Sequence, residues 1–226
     1  MSIKESLNRL KSEIPDHVKL IAVSKTMPPA DILLAYENGQ RRFGENKVQE
    51  LTTKHPVLPA DIQWHFIGHL QTNKVKHIVP FVHMIESVDS FKLLKEIQKQ
   101  AEKAGRTVDC LLQFHIAEEE SKFGLDLEEA SVLLTSPELA TWKHIRLCGV
   151  MGMATYTDDM KQVRREFSHL KSIFRALKEK YFSGTGSFCD ISMGMSGDYS
   201  EAIDEGATMV RIGSLIFGER NYKSSI

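Results

Sequence analysis

The chain has 226 residues, enough to bury a substantial core, and its 42% hydrophobic and 26% charged residues are typical of a globular protein. A formal net charge of -1 excludes an overall attraction to nucleic acid or anionic membranes, so we expect neither as a partner. The sequence has no long apolar run and no signal-like start, which predicts a cytoplasmic location.

Short β-rich runs alternate with amphipathic helical stretches along the chain. Residues 1–10 have the mixed charge and the spacing of an amphipathic helix, and further helices are predicted over 90–105, 160–181 and 200–206. Eight strands are predicted, at residues 20–23, 42–44, 64–68, 84–87, 109–115, 147–154, 189–193 and 209–213.

This alternation decides the predicted fold. Eight strands separated by helices indicate an α/β protein with a parallel sheet, and the number eight favours closure into a (β/α)8 TIM-type barrel with an N-terminal helix. An open, doubly wound sheet is the alternative, although no G-x-G-x-x-G motif follows the first strand. The sequence contains no low-complexity segment or Gly/Ser linker, so residues 1–226 are predicted to form a single domain.

Lys25 stands at the C-terminal tip of the first predicted strand. Burial disfavours a charged ammonium, so a lysine at this position is predicted to have a lowered pKa and to serve as a Schiff-base nucleophile. The simpler interpretation is a lysine that marks where the strand leaves the core for solvent. The other end of the chain favours the first interpretation.

Two segments near the C-terminus have the small residues of an anion-binding site. The seventh and eighth predicted strands run into residues 192–199 and 210–218, and in barrels of this type the loops after these two strands commonly bind phosphate. In the alternative, structural interpretation, Ser196 is a helix cap and Gly213 a packing glycine. The candidate phosphate ligands are Ser196, Gly197, Gly213 and Ser214.

The alternation of strand side chains relates the two ends of the chain. Lys25 shares a face with Ile21, and Arg211 shares a face with Met209. If both faces point into a closed barrel, Lys25 and Arg211 meet, because the first and last strands are neighbours. A lysine nucleophile, an arginine to face a pyridine nitrogen and a phosphate site are the parts of a pyridoxal phosphate (PLP) pocket.

Several long motifs, which together span nearly the whole chain, carry a resemblance to a known family. They are AVSKT at 22–26, FGENKVQE at 43–50, WHFIGHLQTNK at 64–74, GVMGM at 149–153, SMGMSGD at 192–198 and VRIGSLIFG at 210–218. In this order they resemble the pyridoxal phosphate homeostasis proteins, which share a barrel with the N-terminal domain of alanine racemase. The resemblance therefore implies that fold and PLP as the cofactor.

The resemblance also implies residue roles. Lys25 would hold PLP as an internal aldimine, and Arg211 would face the pyridine nitrogen. Asn46 and His65 would line the pocket near the ring; alternatively, Asn46 caps the next helix and His65 is a hydrogen-bonded core histidine. Ser196, Gly197, Gly213 and Ser214 would hold the phosphate.

Two features bear on other chemistry. His65 and His69 flank a strand end and not one helix face, so we expect no metal site there. The three cysteines, Cys110, Cys148 and Cys189, have no paired spacing and are predicted to be buried free thiols.

One segment departs from the family pattern. At residues 113–117 the family usually has an asparagine-containing strand end, where this chain has Phe114 and His115, so a ring contact from this strand is not expected. Residues 121–124 agree with the family.

Arginine stays protonated and donates to an unprotonated ring nitrogen, which makes the cofactor a weaker electron sink and disfavours catalysis through a carbanion. Nothing in the sequence marks Tyr156 or Tyr199 as a catalytic base. We therefore predict a PLP-binding protein of vitamin B6 homeostasis that buffers or delivers PLP to client enzymes without robust catalysis and without catalytic residues. The charged outer face of the helix at 160–181 favours a monomer.

Three alternatives stay open. The first is a PLP-dependent racemase of small amino acids. The second is a cofactor-free Schiff-base enzyme, such as an aldolase, that uses the phosphate site for a sugar phosphate. The third is a regulatory protein whose bound cofactor reports vitamin B6 status.

Overall fold

A closed parallel barrel is the central element of the structure. The computed structural model of the protein describes residues 1–118 and 123–218. Its strands pair in the order β1 to β8, and β8 closes on β1, so the predicted barrel is confirmed and the open sheet is excluded. The strands are β1 (Lys19–Val23), β2 (Arg42–Glu45), β3 (Gln63–Phe66), β4 (Met84–Val88), β5 (Val108–Phe114), β6 (Ile145–Gly152), β7 (Asp190–Ser192) and β8 (Met209–Ile212).

Helices cover the outside of the barrel. None of the helices within the described ranges combines the length and the apolarity needed to cross a lipid bilayer. They are α1 (Ile3–Glu13), α2 (Pro29–Glu37), α3 (Val48–Lys54), α4 (Val75–Ile78), α5 (Phe91–Lys103), α6 (Leu127–Leu134), α7 (Met160–Tyr181), α8 (Tyr199–Asp204) and α9 (Ser214–Phe217).

The sequence located the larger helices well because each carries a start signal and an apolar stripe. The side chain of Ser2 caps α1 by accepting from the backbone N–H of Glu5, and Ser90 caps α5 in the same way through Leu93. The long helix α7 buries Val163 and Phe167 on the face that packs against the barrel. Each such apolar side chain contributes about 1.5–3 kcal/mol to the stability of the fold.

The barrel interior contains a small apolar cluster that is separate from the larger core between strands and helices. In the β1–β8 pair, Lys19 lies opposite Met209 and Ile21 lies opposite Arg211. Ile21 and Met209 both belong to the interior cluster, so the predicted inner faces of β1 and β8 are confirmed. The cluster consists of Ile21, Met84, Leu111, Cys148, Met151 and Met209.

The cysteine prediction holds for two thiols and is wrong for the third. Cys110 and Cys148 are buried free thiols, and burial raises the pKa of Cys148 to about 12. Cys189 is exposed, because it lies in the connection just before β7 and not in the strand itself.

Gly149 allows β6 and β7 to approach closely. Its φ is +153°, and a Cβ atom there would lie 1.8 Å from the carbonyl oxygen of Asp190. We expect Gly149→Ala to lower the free energy of unfolding by about 3 kcal/mol or more, because the strand pair must separate and the backbone is strained.

Urea unfolding of Gly149→Ala and wild type measures this difference. Gly184→Ala is the matched control, because a Cβ at Gly184 meets no atom within 4 Å. Equal unfolding midpoints for Gly149→Ala and the control would contradict the expectation.

Candidate functional site

A cavity of about 590 Å³ opens at the C-terminal ends of the barrel strands, where barrel enzymes place their ligands. Its volume lies within the range of small-molecule sites, about 300–1,000 Å³. Seven of the eight predicted binding residues line it: Lys25, Asn46, Ser196, Gly197, Arg211, Gly213 and Ser214.

Lys25 and Arg211 enter this cavity from neighbouring strands. Lys25 follows the end of β1 and is partly buried, while Arg211 lies within β8 and is 4% exposed. The prediction that these two side chains lie in one cavity is therefore confirmed. Their roles toward a ligand stay predictions.

Arg211 is anchored inside the barrel by two hydrogen bonds. Its Nη1 donates to Ser192 Oγ at 2.6 Å, and its Nη2 donates to the carbonyl oxygen of Gly152 at 2.9 Å. These contacts use two of the five N–H donors of the guanidinium, so its donor set fits a ligand acceptor as well. Burial lowers the pKa of Arg211, and the negative charges of Glu86 and Asp198 oppose that shift.

The anchor of Arg211 continues through Ser192 to a buried carboxylate. Ser192 Oγ donates to Glu86 Oε2 at 2.5 Å, and His65 Nδ1 lies 2.7 Å from Glu86 Oε1. Burial acts to raise the pKa of Glu86, but the hydrogen bond and charge of His65 and the charge of Arg211 outweigh it. The pKa of Glu86 therefore lies below its usual value.

His65 belongs to this network and not to the lining of the cavity. Its side chain is 1% exposed. Ile67, two residues further along the chain, lines the cavity instead. The Nε2 atom of His65 is buried and has no hydrogen-bond partner within residues 1–118 and 123–218. The predicted place of His65 near a ligand ring stays a prediction. Among the described residues, hydrogen bonds connect His65 to Arg211 through Glu86 and Ser192.

The loop after β7 and the start of α9 form one small-residue wall of the cavity. The backbone N–H of Gly213 donates to Ser196 Oγ at 3.3 Å, so the two loops contact each other directly. A Cβ at Gly197 would meet no protein atom within 4 Å, which leaves that space for a ligand. Asp198 holds the loop by accepting from the N–H of Met195 at 2.5 Å, and burial raises the pKa of Asp198.

Asn46 lies where β2 gives way to α3. The cap position of α3 is Lys47, and it makes no side-chain capping bond, so the capping alternative for Asn46 is not observed. A Cβ at Gly68 would lie 2.3 Å from the carbonyl oxygen of Asn46. Only glycine permits this approach, which brings the loops after β2 and β3 together at the cavity.

Strand β5, where the sequence departs from the family pattern, contributes one residue to the lining of the cavity. Gln113 lines the cavity, whereas Phe114 packs into the outer core. Gln113 Nε2 donates to the carbonyl oxygen of Phe123 at 2.8 Å. Of the family-like segment 121–124, residues 121 and 122 lie outside the described residues.

Sequence reasoning missed Glu86, Ser192 and Asp198, and it considered His69 only as a possible metal ligand. Glu86 carried a signal, since a carboxylate in the apolar run of β4 has the same parity as Met84 and therefore points inward. His69 lines the cavity, and its Nδ1 lies 3.2 Å from Asp89 Oδ2. Nothing in the sequence distinguishes it from an ordinary loop histidine.

A second cavity, of about 540 Å³, is chemically different. It lies between α5 and α6, and its lining combines apolar side chains with Asp89, Asp126, Glu128 and Glu129. These carboxylates repel a phosphate, so the cavity at Lys25 and Arg211 is the candidate site for an anionic ligand.

The comparisons first establish the class of the barrel. Residues 1–221 match the family model described as alanine racemase, N-terminal domain. A solved alanine racemase from Clostridium difficile 630 shares the fold with a TM-score of 0.77 at 15% identity, over 100% of this chain and 58% of its own. The barrel is thus of the alanine racemase N-terminal domain class.

More similar proteins then specify the family. The pyridoxal phosphate homeostasis protein of Aquifex aeolicus (strain VF5) is 40% identical over 206 residues, which are 90% of this chain and 88% of that protein. The structure of PipY from Synechococcus elongatus PCC7942 with PLP bound has a TM-score of 0.86 at 34% identity, over 96% of this chain and 100% of PipY. The chain belongs to the pyridoxal phosphate homeostasis protein family.

Glu86 is expected to stabilise the fold in a pH-dependent way. We expect Glu86→Gln to lower the free energy of unfolding by about 3–5 kcal/mol at pH 7, because it removes the negative charge with the larger effect of the two that offset the buried charge of Arg211. The folded-state pKa of Glu86 lies below its usual value of 4.5, so the charge stabilises above pH 4.5. This contribution is lost as the pH falls below that value.

Urea unfolding of wild type and Glu86→Gln above and below pH 4.5 tests this expectation. The difference between their free energies of unfolding should be smaller below pH 4.5 than above it. Glu102→Gln on the exposed face of α5 is the control and should match wild type at both pH values. A Glu86→Gln deficit that is independent of pH would show that the charge of Glu86 does not stabilise the fold.

Proposed function

We propose that this protein binds PLP in the cavity at the end of the barrel and serves intracellular PLP homeostasis by buffering or delivering it. The observation that carries the proposal is that Lys25, Arg211 and two small-residue loops converge on one cavity. Relatives named pyridoxal phosphate homeostasis protein and the PLP-bound PipY structure support it.

The residues of the cavity fit the three parts of PLP. Lys25 has an amine that would bond the aldehyde carbon, and Arg211 has N–H donors that would face the pyridine nitrogen. Ser196 and the backbone around Gly197 and Gly213 supply donors and open space for the phosphate. Asn46 contributes to the wall between these groups.

The same residues support a carrier rather than an efficient catalyst. Bound PLP supplies electron-sink chemistry, which is strongest when its ring nitrogen is protonated. Arg211 donates hydrogen bonds and stays protonated, so it favours an unprotonated ring nitrogen. Tyr199 is unsuited as a second base, because it lies outside the cavity lining and its hydroxyl donates to Glu13 Oε2 at 2.6 Å.

We further propose that the protein works as a cytoplasmic monomer that passes PLP to PLP-dependent client enzymes. The outer face of α7 exposes charged side chains such as Lys161, Arg165 and Glu179. Such a face lacks the apolar stripe of a self-association surface. Exchange of Lys25 for an amine of the recipient would release the cofactor reversibly.

The first test is the visible absorbance of purified protein with added PLP. We expect wild type to develop the yellow band of lysine-linked PLP and to retain the label after borohydride reduction, and Lys25→Ala to lose both, because the amine is absent. Lys76→Ala, which removes an exposed lysine of α4, is the control and should behave as wild type.

A wild-type protein that stays colourless would contradict the proposal and favour the sugar-phosphate alternative. Chiral analysis of amino acids incubated with the loaded protein addresses catalysis. Racemisation at rates typical of dedicated enzymes, abolished by Lys25→Ala, would replace the carrier by a racemase.

The phosphate site has its own test. We expect Ser196→Ala to weaken PLP binding about 10- to 100-fold, because one hydrogen bond to a charged group is lost. Binding of pyridoxal, which lacks the phosphate, should be unchanged. Titration of both ligands by absorbance measures the affinities, and equal losses for the two would argue against a phosphate contact at Ser196.

A further inference from the structure

A buried ionic cluster lies behind Lys25 and outside the lining of the cavity. Lys54, on α3, is 4% exposed, although lysines are rarely buried unless they are paired. Its Nζ donates to the carbonyl oxygen of Ser24 at 2.7 Å, to Glu45 Oε1 at 2.7 Å and to Glu50 Oε1 at 2.6 Å. All three donors of the ammonium are thus used.

This cluster binds the main chain on both sides of Lys25. Lys54 binds the carbonyl oxygen of Ser24, the preceding residue, and Glu50 Oε1 accepts from the N–H of Thr26, the following residue, at 2.5 Å. Ser24 Oγ also donates to Glu45 Oε1 at 2.6 Å. The backbone of Lys25 is therefore held between two groups of one ion pair.

The backbone that is held in this way is strained. Thr26 has a φ of +67°, the one positive value at a non-glycine residue in the described part of the chain. A β-branched side chain disfavours this conformation, which persists only where the surroundings determine it. The N–H of Met27 donates to the carbonyl oxygen of Ser24 at 3.0 Å, so residues 24–27 form a turn with Lys25 in its second position.

The cluster has two carboxylates for one ammonium. Glu45 is fully buried, its Oε2 atom has no hydrogen-bond partner among the described residues, and burial raises its pKa. The side chain of Glu50 is 21% exposed and tolerates substitution better. Packing of α3 against the barrel would not by itself require these charged groups. Lys54 and Glu50 also bind the main chain of the loop after β1.

We propose that Glu50 and Lys54 are positioning residues that fix the turn at residues 24–27 and thereby present the amine of Lys25 to the aldehyde of PLP. This inference rests on the proposed function. In the step concerned the Lys25 nitrogen adds to the aldehyde carbon, a C=N bond forms and one water molecule leaves, so no oxidant or reductant is required. Misplacement of a reacting atom by about 1 Å slows such a step about 100-fold.

Glu50→Ala is the main test variant, because it removes the acceptor of the Thr26 N–H and leaves a good helix former in α3. Glu50→Gln keeps an acceptor of the same shape and tests rescue. Lys54→Met is the second test variant. It removes the ammonium and leaves the buried carboxylate of Glu45 without its cationic partner. The controls are Glu37→Ala and Lys76→Met, both at exposed positions.

Two quantities are measured for each variant that retains the wild-type circular dichroism spectrum. The first is the hydrogen-exchange rate of the Thr26 amide in the protein without PLP. The second is the rate constant for the rise of the visible band after PLP is added. We expect Glu50→Ala and Lys54→Met to exchange at least 10-fold faster and to bond PLP at least 10-fold more slowly, with Glu50→Gln intermediate and the controls within about 2-fold of wild type.

The outcomes separate this inference from the proposal beneath it. Faster exchange with an unchanged rate of band formation would show that the contacts are structural only and would overturn the inference, as would wild-type values of both quantities. A wild type that forms no band would overturn the proposed function and the inference with it. If Lys54→Met does not fold, Glu50→Ala and Glu50→Gln decide.

Discussion

The charge of Arg211 is buried inside the barrel, and contacts from several strands stabilise it there. Taking an ion out of water costs several kcal/mol unless partners compensate. Ser192 on β7, the carbonyl oxygen of Gly152 on β6 and the carboxylate of Glu86 on β4 provide that compensation. The guanidinium can face a ligand only because strands from half of the barrel hold it in place.

Lys25 is supported by a different arrangement. The positive φ of Thr26 costs about 1–3 kcal/mol, and charged hydrogen bonds of about 1.5–3 kcal/mol each are large enough to offset it. Glu50 and Lys54 supply two such bonds to the turn. The lysine is thus held through its backbone, while Arg211 is held through its side chain.

The sequence predicted the parts of the fold and site that follow from local patterns. The alternation of eight strands with helices predicted the barrel. The alternation of side chains along β1 and β8 predicted that Lys25 and Arg211 lie in one cavity. The role of His65 near a ligand ring, which came from the family resemblance, stays a prediction; its position, 1% exposed and beside Glu86, also fits the alternative of a hydrogen-bonded core histidine. The link between Lys54 and Ser24 joins residues 30 positions apart, and a lysine in α3 has no sequence property that predicts such a contact.

Both supports consist of contacts within the protein itself, which bears on how the proposed carrier would work. A preformed site binds with little reorganisation, so its affinity is not reduced by the ordering of loops and side chains. Tight binding would hinder release if it rested on non-covalent contacts alone. A bond to Lys25 would avoid this conflict, because an incoming amine could replace the lysine nitrogen at the same carbon without first opening the barrel or the turn. A lysine on a fixed turn and an anchored arginine would therefore suit transfer of the proposed cofactor as well as its storage.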